Sequence, residues 1–217
     1  MARRFSSTFL AIFAVAVCAG SADARNRSTQ DPNIATPIAE ASPTLAPFQH
    51  VRFCLRYPSE CKSDPTESER IDLNAPTLDL LKTVNRSVNL SIIPELKSYG
   101  PDLGDGWTIA PISGDCNDYA VTKRHELIES GLPSKALRLS VVKTASGIGH
   151  LVLVVATTKG DIVMDNLTEA LRPWQSTDYL WLKIQSTADA RFWYEVKAPT
   201  VGAPVSQTDR RVRLANR

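Results

Sequence analysis

The chain of 217 residues carries a formal charge of +2, and 43% of its residues are hydrophobic. That composition supports one domain with a sizeable core. Near-neutral charge gives no case for nucleic acid or anionic membrane as an electrostatic partner.

In chain order, the first residues read as a secretory signal. Arg3 and Arg4 precede the apolar run Phe9–Val17, and Ala22-Asp23-Ala24 puts small residues where a signal peptidase reads them. The run is shorter than the roughly 20 residues that span a bilayer, so no stable membrane span is expected. Cys18 follows bulky Val17, where a lipid-attachment signal carries a small residue. Cleavage after Ala24 would take the formal charge from +2 to +1 and leave a periplasmic or secreted protein. Residues 25–47, rich in Pro, Ala, Ser and Thr, are expected to be a flexible lead-in. A folded domain over 48–197 and a frayed basic tail over 198–217 complete the predicted organisation.

Export changes how the cysteines read. Cys54 and Cys61 stand seven apart around the turn-forming Pro58-Ser59, and in an oxidising compartment they are predicted to pair. No second Cys or His pair at ligand spacing accompanies them, which argues against zinc. Cys116 is then left over, either a buried bystander or a reactive thiol.

From Asn74-Ala75-Pro76 onward, Leu78, Leu81, Val84, Asn85 and Val88 recur at helical spacing, which predicts a helix of about four turns. Residues 99–114, rich in Gly, Pro and Asp around Trp107, form a long loop. Cys116, Tyr119, Ala120, Lys123 and Leu127 share one face of the next predicted helix, which Ser130-Gly131 ends. Strand-like runs follow at Leu137–Val142, His150–Thr157 and Asp161–Met164, with turns at Ser146-Gly147 and Lys159-Gly160, and Arg191–Val196 adds another. Helix first and antiparallel strands after predicts an α+β fold.

Three residues in this layout carry chemistry. Cys116 stands at a helix N-terminus, where unpaired N–H groups and the macrodipole favour thiolate. His150 opens an apolar strand thirty-four residues on, and Asp165 closes the next strand fifteen residues later. A thiol, an imidazole to take and return its proton, and a carboxylate to orient the ring are the parts of a cysteine nucleophile. Core burial is the plainer reading of a histidine beginning Leu-Val-Leu-Val-Val, and a turn is the plainer reading of Asp165-Asn166. His50 beside the lead-in and His125 on a charged helix face have no case.

Asn85-Arg86-Ser87-Val88-Asn89, Tyr99-Gly100, Trp107, the run Gly114-Asp115-Cys116-Asn117-Asp118-Tyr119-Ala120 and Thr122-Lys123-Arg124 occur in order, followed by Gly149-His150, Met164-Asp165-Asn166-Leu167 and Trp174. Over roughly residues 48–196 this series resembles the bacterial transglutaminase-like cysteine proteinases, whose LapG-type members are calcium-dependent periplasmic proteases. The resemblance implies a papain-like, transglutaminase-type domain, with the nucleophile's helix packed on an antiparallel sheet. It implies Cys116 as nucleophile, His150 as base and then acid, and Asp165 as orienter. The substrate it implies is a protein or peptide of the cell envelope, hydrolysed through a thioester acyl-enzyme with no cofactor required for the chemistry. Transfer of the acyl group to an amine, or a non-catalytic peptide-binding scaffold, are the alternatives. It also implies calcium, with Asp115 and Asp118 as candidate ligands. Asn117 stands where an acid is usual, and losing a carboxylate weakens an oxygen-donor site.

Overall fold

Leu151, Leu153 and Val155 pack into one core cluster and Val152 and Val154 into another, so the apolar run after His150 is a strand with a core on each face. The computed structural model describes residues 36–97 and 106–197. In chain order these form β1 (Glu40–Thr44), α1 (Phe48–Arg56), α2 (Ala75–Ser91), β2 (Ile93–Pro94), β3 (Ser113–Gly114), α3 (Cys116–Glu129), β4 (Leu137–Lys143), β5 (Gly149–Thr157), β6 (Gly160–Met164), β7 (Arg172–Pro173), β8 (Leu180–Gln185) and β9 (Trp193–Val196). The antiparallel sheet runs β1-β9-β8-β4-β5-β6-β7, and β2 pairs in parallel with β3. Helices α2 and α3 cover one face, and their Leu81, Val84, Val88, Tyr119 and Leu127 join the larger core. Trp174, Trp181 and Ile184 fill the smaller core on the opposite face.

Local chemistry explains the helix ends. Asn74 accepts the Thr77 N–H at 2.9 Å and caps α2, with proline in the first turn. Helix α3 closes at Ser130, and Gly131 takes a φ of 87° that a side chain would resist.

The disulfide joins Cys54 of α1 to Cys61 across a Cα–Cα distance of 5.5 Å. In the chain-entropy picture, closing so short a loop stabilises by about 2–3 kcal/mol. Arg124 of α3 holds that loop down, donating to the Glu60 carboxylate at 2.8 Å, the Glu60 carbonyl at 2.7 Å and the Leu137 carbonyl at 2.9 Å. His50 is not a residue of the lead-in margin but a neutral core histidine. Burial, with the Arg124 charge behind it, lowers its pKa to about 4, and the Trp193 indole donates to its Nδ1 at 3.2 Å. His125 pairs with Glu60 at 2.7 Å.

The lead-in differs from expectation at its end. Residues 40–44 form an edge strand on β9, and Ile38 is buried in the smaller core. Pro43 and the polar residues around it suit an edge, where one side of the strand needs no ladder partner. The expected signal residues 1–24, residues 25–35 of the lead-in, Tyr99-Gly100 and the tail from 198 lie outside the described residues. Among the described residues, no helix is long and apolar enough to cross a membrane.

Candidate active site

Strand β3 delivers the chain directly into α3, and the first helical residue is Cys116, half-buried and unpaired. Asp115 caps the helix, its Oδ1 accepting the Asn117 N–H at 3.0 Å, while Asp118 reaches back to accept the Asp115 N–H at 2.9 Å. This reciprocal box satisfies N–H groups that a helix start leaves open. Gly114 makes it possible: a Cβ there would overlap the Asp118 carboxylate and come within 2.8 Å of the Asp118 Cβ.

His150 is the second residue of β5 and Asp165 the first beyond β6. The ladder pairs Leu153 with Met164, which sets Asp165 diagonally from His150 on one face of the sheet. The ring Nε2 and Asp165 Oδ1 lie 2.8 Å apart, which fixes the proton on Nε2 and leaves Nδ1 as the ring nitrogen available to Cys116. Both residues are buried, at 7% and 3% exposure. Burial opposes a charge on the ring, but the bonds and charges of Asp165 and Cys116 outweigh it and raise the His150 pKa to about 9. Burial likewise opposes the Asp165 carboxylate, and His150, the Tyr179 hydroxyl and the Leu167 N–H together hold its pKa below the usual value. The structure therefore gathers all three expected residues into one chain, His150 hydrogen-bonded to Asp165 and Cys116 beside the ring.

Tyr179 extends that chain. Its hydroxyl donates to Asp165 Oδ2, and its ring stands edge-on to His150 with centroids 5.8 Å apart. Burial and the neighbouring carboxylate raise its pKa, keeping it a donor. Nothing in the sequence marks it, since it comes from the segment before β8 that carries no periodic signal. Asn85 and Asn89, one turn apart on α2, hold the loop after Asp165 by donating to the carbonyls of Glu169 at 3.1 Å and Asp165 at 3.0 Å.

Cys116 and His150 sit between two grooves. One is a cleft of about 590 Å³ whose walls include Leu96, Ile148 and Leu167, all well exposed. The other, of about 330 Å³, is walled by Pro47, Phe48, Trp107 and Val141. An extended chain laid from one to the other would pass over the sulfur.

Lys123 is fully buried two turns along α3, and among the described residues its ammonium has no hydrogen-bond partner. Burial lowers its pKa to about 7, against the opposing pull of the Asp165 charge. A lysine depressed in the folded state disfavours folding at and below neutrality, and that penalty fades as pH rises toward its ordinary value. His150 has the opposite sign: its stabilisation is full below pH 6.5 and is lost as pH rises through about 9. Lys123→Met is therefore expected to stabilise the fold at pH 7 by on the order of 3 kcal/mol. Urea unfolding of the variant should show stability falling more steeply from pH 7 to 9 than in the parent. A variant less stable than the parent at pH 7 would mean that the ammonium is well satisfied.

Asp118 is the hub at the helix start. Its Oδ1 accepts from Lys97 Nζ and from the Thr108 N–H, both at 2.8 Å, in addition to the Asp115 N–H on Oδ2. Burial still leaves the Asp118 pKa raised. Asp115 Oδ1 accepts, besides the cap, the Asn117 side-chain amide at 3.0 Å.

Residues 40–201 match the family model of the bacterial transglutaminase-like cysteine proteinases. The chain belongs to that family and has its transglutaminase-type α+β fold. Among solved structures, it is similar to calcium-bound LapG of Legionella pneumophila, at 21% identity and a TM-score of 0.46 over 64% of this chain and 81% of that one. Another structure of Legionella pneumophila LapG is similar at 23% identity and a TM-score of 0.42, over 50% of this chain and 63% of that one. This chain thus spans less than two thirds of LapG in that comparison. The EGTA-treated form gives 21% identity and a TM-score of 0.44, over 56% and 68%. No curated protein matches the sequence.

Proposed function

We propose that this chain is an exported protease that hydrolyses peptide bonds of a cell-envelope or surface protein through Cys116, His150 and Asp165. The observation that carries the proposal is the His150–Asp165 hydrogen bond standing beside Cys116, set at a helix N-terminus between two grooves that Cys116 and His150 both line.

The Cys116 thiolate attacks the substrate carbonyl and forms a C–S bond. Asp115 takes the N–H groups of Asn117 and Asp118 for the cap, so the Cys116 N–H is the helix-start donor that can meet the oxyanion. His150, carrying its proton at Nδ1, passes it to the departing amine as the C–N bond breaks. It then accepts a proton from water, whose oxygen displaces sulfur from the thioester and releases the acid. Asp165 and Tyr179 keep the ring in the tautomer that both steps need. Export rests on the signal-like residues 1–24, and the Cys54–Cys61 disulfide suits a periplasmic or secreted location.

Calcium, which LapG binds in one of its structures, does not fit Asp115 and Asp118 as they stand here. Calcium needs about six to eight oxygen ligands at about 2.3–2.6 Å. Asp118 directs both oxygens at N–H donors, one of them an ammonium, and Asp115 Oδ1 already accepts two. No step is assigned to a metal.

Hydrolysis and amine transfer share the same thioester and diverge only at its acceptor. Incubating the purified protein with envelope proteins and a labelled primary amine separates them. New fragments without label are expected; label incorporated without new fragments would overturn the protease assignment.

A further inference from the structure

We infer that Lys97 is a resident cation for the start of the catalytic helix, positioning Cys116 in place of a divalent ion, so that this chain works without calcium. The inference rests on Cys116 being the reactive thiol, as proposed above. Lys97 lies three residues past β2, which pairs with β3 immediately before the cysteine. The Glu95 N–H donates to the Gly114 carbonyl at 2.9 Å, which carries the two segments side by side toward the site. The Lys97 side chain is 11% exposed, and its ammonium meets Asp118 Oδ1 at 2.8 Å and the Gly106 carbonyl at 3.4 Å. Oxygen donors around a buried positive charge are the surroundings a metal ion would take, here filled by a side chain.

One carboxylate thereby ties three segments together. Asp118 receives Lys97 from the end of the β2 segment, Thr108 from the loop beside Trp107, and Asp115 from the helix cap. Trp107 and Leu96 wall the two grooves that flank Cys116, so loss of the ammonium loosens both walls along with the helix start. Asn117 completes the substitution. Its amide donates to Asp115 Oδ1, a bond that an acid at this position could not make. An amide at position 117 and an ammonium at position 97 together remove a negative charge and supply a positive one. That is the change expected where a divalent ion is dispensed with.

The test needs no substrate, so it is separable from failure of the protease proposal. Full-length chain and the variants Lys97→Met, Lys97→Gln and Lys97→Arg are melted in millimolar calcium and in EGTA. In parallel, the iodoacetamide labelling rate of Cys116 is followed from pH 5 to 9 by mass spectrometry of its peptide. In the parent, the melting temperature and labelling rate are expected to agree between calcium and EGTA. A ligand at about a hundred times its Kd would instead raise the melting temperature by several degrees. Lys97→Met and Lys97→Gln are expected to lower the melting temperature and to slow labelling at pH 7 by about fivefold or more, and Lys97→Arg to restore most of the rate. A calcium-dependent rise in the parent's melting temperature overturns the inference. So do uncharged variants whose labelling profile matches the parent's. Should the uncharged variants fail to fold, the parent's response to calcium still decides the matter.

Discussion

Cys116→Ala should give a protein that folds and melts like the parent yet cleaves nothing, with kcat/KM down by at least about 10⁵-fold. The nucleophile is the atom that bonds to the substrate carbonyl, and an alanine offers nothing in its place. The structural cost is small, because Cys116 is half-buried at the first position of α3, does not cap the helix and packs only against the margin of the larger core. The capping box of Asp115 and Asp118, which does hold that end, is untouched by the change. A melting temperature within about 2 °C of the parent is therefore expected. The variant also reads out the pairing itself. Cys116 is one of the two groups that hold the His150 ring at a pKa of about 9, so deleting the sulfur should let the ring titrate lower while Asp165 keeps it in place. Proton NMR of the ring gives that value directly. Activity within tenfold of the parent would place the nucleophile elsewhere. A large fall in melting temperature would mark Cys116 as a structural thiol.

Why the core of the site is legible in sequence becomes clear from Gly114-Asp115-Cys116. Each position has a local reason: glycine for the close approach of Asp118, aspartate for the cap, cysteine for the first turn. Local requirements of this kind are written in consecutive residues, as are the Asn74 cap of α2 and the glycine at 131. His150 and Asp165 are legible for a related reason, since both stand at the ends of strongly apolar strands whose pairing brings them together. What escapes is whatever depends on distant partners. Strand β1 is polar and proline-containing because it is an edge, and it reads as strand only once β9 lies beside it. Helix α1 lacks a side-chain cap and is anchored by the disulfide and by His50 packing among tryptophans. Lys97 and Tyr179 each join the site across long spans of chain, and nothing in their neighbours' periodicity points there. Asp115 and Asp118, read from the resemblance as candidate metal ligands, serve the helix start itself, and it is the donors around them that decide it.

Asp165→Asn should lower kcat/KM by about 10³–10⁴-fold and move the alkaline limb of its pH profile down. The carboxylate accepts from three donors: His150 Nε2 and the Leu167 N–H on Oδ1, and the Tyr179 hydroxyl on Oδ2. An amide has one accepting oxygen. With its NH₂ turned toward His150, it demands an unprotonated Nε2, and the ring's proton shifts to the face that must accept one from water in deacylation. With its NH₂ turned toward Tyr179, the tautomer survives but the negative charge does not. Either way the ring loses its strongest support, and its pKa falls from about 9 toward or below the unperturbed 6.5. The productive form carries an imidazolium beside a thiolate, so the parent's activity should decline only as pH rises through about 9, and the variant's well below that. Stability follows the same pair with the signs worked through. His150 is raised, so its contribution is full below pH 6.5 and disappears above about 9; Asp165 is lowered, so its contribution is full above pH 3.8 and is lost as pH falls through its folded value. The variant should accordingly lose most stability near pH 5 to 6 and least above pH 9. Parallel pH profiles of kcat/KM and of urea unfolding check both statements. An alkaline limb that stays in place when the carboxylate becomes an amide would mean that the group titrating there is not His150.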